Sequence, residues 1–182
     1  SSDVCSSDLL DAAYSRWRRA VESQDAKAWA ASISMYRQVV TRNHIVSQGL
    51  PFPKAVFEIP LNPADTSKLR LLEAQAVGDT AHLLFFGKAD IGGDPDQIPD
   101  NLFMVKFLRE NGIWKFDSNK LIHLRTQPEL RAKLQRGEQP DFLDEPEFTP
   151  PGKGSPADKN AQKYQKICDS ELGQNGSLEA AF

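Results

Sequence analysis

The sequence predicts an α+β domain, with N-terminal helices packed on an antiparallel sheet. Three observations carry that expectation. Apolar residues recur at helical spacing between Leu10 and Val40. Two hairpin signals, Gly78-Asp79 and Asn111-Gly112, follow with strand-like runs on both sides. The second hairpin then sorts its side chains into an aromatic face and a charged one.

Leu10, Tyr14, Trp17 and Val21 fall at i, i+4, i+7 and i+11, one stripe of an amphipathic helix, while Arg16, Arg18, Arg19 and Glu22 fill a solvated face. Asp25 is placed to cap a second helix, in which Trp29, Ile33, Tyr36 and Val40 repeat the spacing. Ser32 and Ser34 mark a break that divides this stretch into two short helices. Gly49, Pro51 and Pro53 end the helical region. Residues 54–60 read as a short strand or irregular edge, with Pro60 against a central position. Asn62 to Ser67 reads as a loop.

Pairing outward from Val77/Thr80 sets Ala76 opposite Ala81, Gln75 opposite His82, Ala74 opposite Leu83 and Leu72 opposite Phe85. Small alanines on the inner face would let a helix approach closely. Residues 92–100 form an acidic Gly/Pro loop with neither the lysine nor the following helix of a phosphate loop. In the second hairpin a two-residue turn pairs Arg109 with Trp114, Phe107 with Phe116 and Lys106 with Asp117. Phe103, Val105, Phe107, Trp114 and Phe116 then share the inner face, and Asp117 lies outside against Lys106. Thr126-Gln127-Pro128-Glu129 is a capping-box pattern that opens a short helix with an apolar edge at Leu130 and Leu134.

At 182 residues with 40% hydrophobic content, the chain is long enough for one well-buried domain. A pI near 5.6 gives no basic footprint for nucleic acid, and no apolar run reaches a membrane span. Residues 1–9, SSDVCSSDL, resemble a translated sequencing adapter and are expected to be an artefact leader. Without Cys5 only Cys168 remains, so no internal disulfide points to a compartment. The domain is expected over 10–136. Residues 137–182, rich in Pro and acid, read as a linker or extended tail, or as the opening of a further domain.

The order of helices followed by an antiparallel meander ending in Gly112-Ile113-Trp114-Lys115-Phe116-Asp117 resembles the nuclear transport factor 2-like superfamily. That resemblance rests on the Tyr14–Trp17 stripe, strands 69–77 and 80–89, and the second hairpin. It implies a cone-shaped, cystatin-like fold with helices on a curved sheet and a pocket at the wide end. Activities in that superfamily run from isomerase and dehydratase to pure binding and assembly, so fold alone does not fix function.

Candidate pocket residues under this reading are Tyr14, Trp17, Tyr36, Leu83, Phe85, Phe103, Phe107, Trp114 and Phe116. Nearly all are apolar. Tyr14 and Tyr36 are the sole hydroxyl candidates for catalysis, and a tyrosine on a helix stripe is more often core. Glu73 and His82 are diagonal neighbours better read as a surface hydrogen bond than as an acid–base pair. His44, His82 and His123 lack metal-site spacing, and no cofactor is expected. The reading is therefore a non-enzymatic cone-fold domain that binds a small apolar ligand or mediates assembly. The alternative is an isomerase, dehydratase or hydrolase with acid–base residues in the cone. Leu84, Phe86, Met104 and Leu108 make an apolar outer face, from which a sheet-to-sheet homodimer is expected.

Overall fold

A computed structural model describes residues 7–58, 63–92 and 94–139. Helices α1 (Ser7–Glu22), α2 (Ala26–Ser32) and α3 (Met35–Ser47) precede strands β1 (Arg70–Val77), β2 (Thr80–Gly87), β3 (Asn101–Glu110) and β4 (Ile113–Ile122); α4 (Pro128–Gln135) follows. The strands form one antiparallel sheet in the order β1-β2-β3-β4. Of the proposed leader, residues 7–9 belong to α1. Residues 1–6, Pro60, Asn62 and the tail from Pro140 onward lie outside the described residues.

The helical stripe of α1 is buried as spaced, from Leu10 to Val21. Asp25 caps α2 by accepting from the Ala28 N–H at 3.0 Å, and Ser34 caps α3 by accepting from the Arg37 N–H at 3.1 Å. The break between them re-phases the stripe. Trp29 and Ile33 are buried, but Val39, not Val40, is the next buried hydrophobic residue, and Tyr36 is half-buried. A break shifts every later residue around the helix axis, so one continuous period over both helices fails.

Successive residues of β2 face opposite sides of the sheet. Leu83 and Phe85 join the main core with α1, α2 and the inner residues of β3 and β4. Leu84 and Phe86 join a second cluster with Leu72, Leu102, Ile122, Leu124 and Leu134. Burying each such large side chain contributes roughly 1.5–3 kcal/mol. The cover over Leu84 and Phe86 within the chain is α4. Arg70 fastens α4 by donating to the Leu134 carbonyl at 2.8 Å, and Gln139 donates to the Leu72 carbonyl at 2.7 Å. Met104 stays half-buried beside this cluster, and Leu108 is half-buried without joining it.

Several expectations are corrected. Residues Lys54–Phe57 form a 3₁₀ turn rather than a strand. Ala74 and Ala76 are exposed, because the helices pack over β2 and β4 and leave β1 bare on that side. The N-cap of α4 is Gln127, without a side-chain cap bond, since Pro128 takes the first helical position. Both hairpin turns hold, with φ of 61° at Gly78 and of 51° and 77° at Asn111 and Gly112. Register breaks once in each hairpin. Leu71, not Leu72, opposes Phe85, and Lys106 opposes Ser118, not Asp117. Leu72 and Asp117 are the extra residues of two bulges.

Candidate functional site

Of the nine interior candidates, eight are brought together: Tyr14, Trp17, Leu83, Phe85, Phe103, Phe107, Trp114 and Phe116 share the main core. They pack against one another. Trp17 stacks on Phe116 with ring centres 3.8 Å apart, and Tyr14 meets Phe103 and Phe116 edge-on. The Tyr14 hydroxyl donates to the Ala64 carbonyl at 2.8 Å. Burial pushes that phenol's pKa up, so it is no proton donor near neutrality. Tyr36 lies apart, beside Val39 and Met35 and under the Arg37 guanidinium.

Asp117 was expected outside the sheet and is 1% exposed. The bulge turns it to the junction of α2 and α3, where it accepts from the Ser34 hydroxyl at 2.6 Å and from Arg37 at 3.4 Å. The Ser118 hydroxyl donates to it as well, at 3.0 Å. Next to it Ile33 forms a parallel bridge to Phe116, and the Ser34 N–H donates to the Phe116 carbonyl. A carboxylate satisfied on every side this way locks two elements together.

A cleft of about 580 Å³ opens beside that junction. Ala30, Ala31 and Ile33 of α2 and its C-cap, Met35 of α3 and Ile113 of β4 give it an apolar lining, and Ile113 is 52% exposed. Lys27, Gln38, Glu110 and Lys115 supply its polar groups. The small side chains of α2 leave the space, and the Asn111-Gly112 turn projects β3 and β4 far enough to wall it. Volume and lining fall in the ordinary range of small-molecule sites, roughly 300–1,000 Å³ and mostly apolar.

Glu110 is the titratable group to watch there. Its Oε2 accepts from the Met35 N–H at 2.9 Å. Burial raises its pKa, while that N–H and the Lys115 ammonium pull it back down. Lys115 Nζ donates to the Ala31 carbonyl, which fixes its stem across the cleft's border. Gln38 is spent on the carbonyls of Ala30 and Ile33. Little in the sequence announces these residues, because alanines, a capping glutamate and turn residues carry no motif. The one available signal was the Ser32/Ser34 helix break next to a projecting hairpin.

Glu73 and His82 were expected to form a surface hydrogen bond, but His82 is not a surface group. Glu73 accepts from Gln75 at 2.7 Å, and the His82 Nδ1 is buried with no partner. Burial first, then Lys106, lowers the His82 pKa to about 4, against a smaller opposing pull from Asp117. His44 and His123 are exposed. Among the described residues no cluster of three metal-ligating side chains occurs, and no helix is long and apolar enough to cross a membrane. Comparison with protein-family models, with curated proteins and with solved structures gave no match.

Proposed function

We propose that the chain is a non-catalytic binding domain of nuclear transport factor 2-like architecture. Its ligand, small and largely apolar, lies in the cleft between α2, α3 and the β3–β4 turn instead of the packed interior. The observation that carries this reading is the lining itself: five apolar side chains with a few polar groups at set positions. Two groups that an acid–base enzyme of the interior would use are otherwise committed. Tyr14 is tied to Ala64, and Asp117 to Ser34 and Arg37.

Titration with N-phenyl-1-naphthylamine, a neutral fluorescent probe of apolar sites, tests the reading. Saturable binding is expected, abolished by Ala30→Trp, which fills the cleft, and weakened by Ile113→Asp. Glu110→Gln should leave it intact. Absence of binding, or binding indifferent to Ala30→Trp in a folded variant, would reject the cleft as the site.

A further inference from the structure

Cleft and cation meet on the far side of α2. A groove of about 310 Å³ runs between α1 and α2, floored by Ala20, Ala28 and Ala31 and flanked by Arg16 and Arg19. The two arginines stand three residues apart, so they share one side of α1. Both are exposed, and among the described residues neither has an acidic partner. The acids nearby are already used: Glu22 holds Arg18 at 2.9 Å, and Asp65 holds it at 3.3 Å. In a chain of formal charge −3, two uncompensated guanidinium groups over one groove are a local reversal of sign.

Arg16 is positioned. It donates to the Trp114 carbonyl at 3.4 Å, which leaves its remaining N–H groups for a ligand. The groove's hydroxyls are not donors to a ligand, since Ser23 donates to the Arg19 carbonyl at 2.7 Å and Ser32 to the Trp29 carbonyl at 3.0 Å. Ala31 lines both the groove and the apolar cleft, so the two adjoin at that residue. Lys115 anchors at that same residue's carbonyl and adds a third cation there.

From this geometry we infer that the ligand is an amphipathic anion. Its oxyanion head sits on Arg16 and Arg19, and its apolar chain passes over Ala31 into the cleft. Paired guanidinium forks suit a phosphate-type head, to which they make charge-assisted hydrogen bonds. The inference rests on the cleft reading for the chain and on the groove for the head.

Calorimetric titration of the full chain with octyl phosphate, below its micelle concentration, and with 1-octanol separates the two parts. Octyl phosphate is expected to bind at least about tenfold tighter than octanol, the worth of one charge-assisted contact. Arg16→Gln/Arg19→Gln should remove that advantage and leave octanol unchanged. Arg19→Gln alone, which among the described residues breaks no side-chain hydrogen bond or ion pair, should remove part of it. Equal affinities for the two ligands, or an advantage that survives the double variant, would overturn the anion site while leaving the cleft standing. An advantage lost in the arginine variants but untouched by Ala30→Trp would uphold the groove and reject the cleft. Co-sedimentation with phosphatidylglycerol vesicles, with no binding of octyl phosphate, would overturn the soluble ligand in favour of a lipid surface.

Discussion

The two edge strands of the sheet each carry one extra residue, and the two bulges are built in opposite ways. On β4 the extra residue is an acid, Asp117, held by a serine, an arginine and its own neighbour. On β1 it is Leu72, 8% exposed, which drops into the apolar cluster under α4. A bulge frees one side chain from strict alternation, and what receives that side chain decides the bulge's place. Hydrogen bonds receive it on one border, apolar packing on the other. The polar bulge joins the N-terminal helices to the sheet; the apolar one joins the sheet to the C-terminal helix.

The comparison breaks most sharply at Asp117. Asp117→Ala strips the Ser34 hydroxyl and the half-buried Arg37 of their partner and should cost about 3 kcal/mol or more by denaturant unfolding. A double-mutant cycle with Ser34→Ala should show coupling above about 1 kcal/mol. Leu72→Ala should cost about 2 kcal/mol, with no pH dependence, because it removes packing and no charge. Leu72 and Leu134 meet in one cluster, so Leu72→Ala and Leu134→Ala should be non-additive.

His82 lies between the borders and responds to pH. Its pKa in the folded chain is about 4 against an ordinary 6.5, so between those values the unfolded chain takes up a proton the folded one refuses. Stability from this group is full above pH 6.5 and is lost as pH falls towards 4, by roughly 2–3 kcal/mol. Glu110, with its pKa raised, works in the opposite sense, so the quantity to measure is the difference between the wild-type chain and His82→Gln. That difference should stop changing with pH above about pH 7. Asp117→Asn removes a carboxylate that favours the protonated imidazole, and should move the window lower still. The smallest expected effect is Lys115→Ala, under about 1 kcal/mol, since a half-buried ammonium loses one carbonyl contact and regains water.

Turn chemistry and helical spacing made the framework legible. Asn111-Gly112 and Gly78-Asp79 each sit at the tip of the hairpin they announce, and the pairs nearest each turn, such as Phe107 with Phe116, are in place. Farther from the turns the alternation rule fails, because a rule with period two has no room for Leu72 or Asp117. The outer face was legible as apolar, but the part α4 takes in covering it was not. Leu130 and Leu134 were visible as an apolar edge, and the Arg70 bond to Leu134 that seats them spans 64 residues of chain. The cleft was the least legible part. It is made of short side chains and of the distance between two elements, neither of which is a pattern along the sequence.

The small bridge between Ile33 and Phe116 has a consequence for life in a crowded solution. A bare strand edge is a template on which another chain can add a strand, and growth by that route ends in insoluble fibre. Along β4 the Phe116 carbonyl is occupied by the Ser34 N–H and the Asp117 carbonyl by the Arg37 Nε, at 2.7 and 3.0 Å. An incoming strand would meet a helix junction where it needs a row of acceptors. On the opposite border Gln139 occupies the Leu72 carbonyl, at the bulge where the ladder is already out of step. The contacts that hold helices to sheet therefore also deny strangers a place to begin.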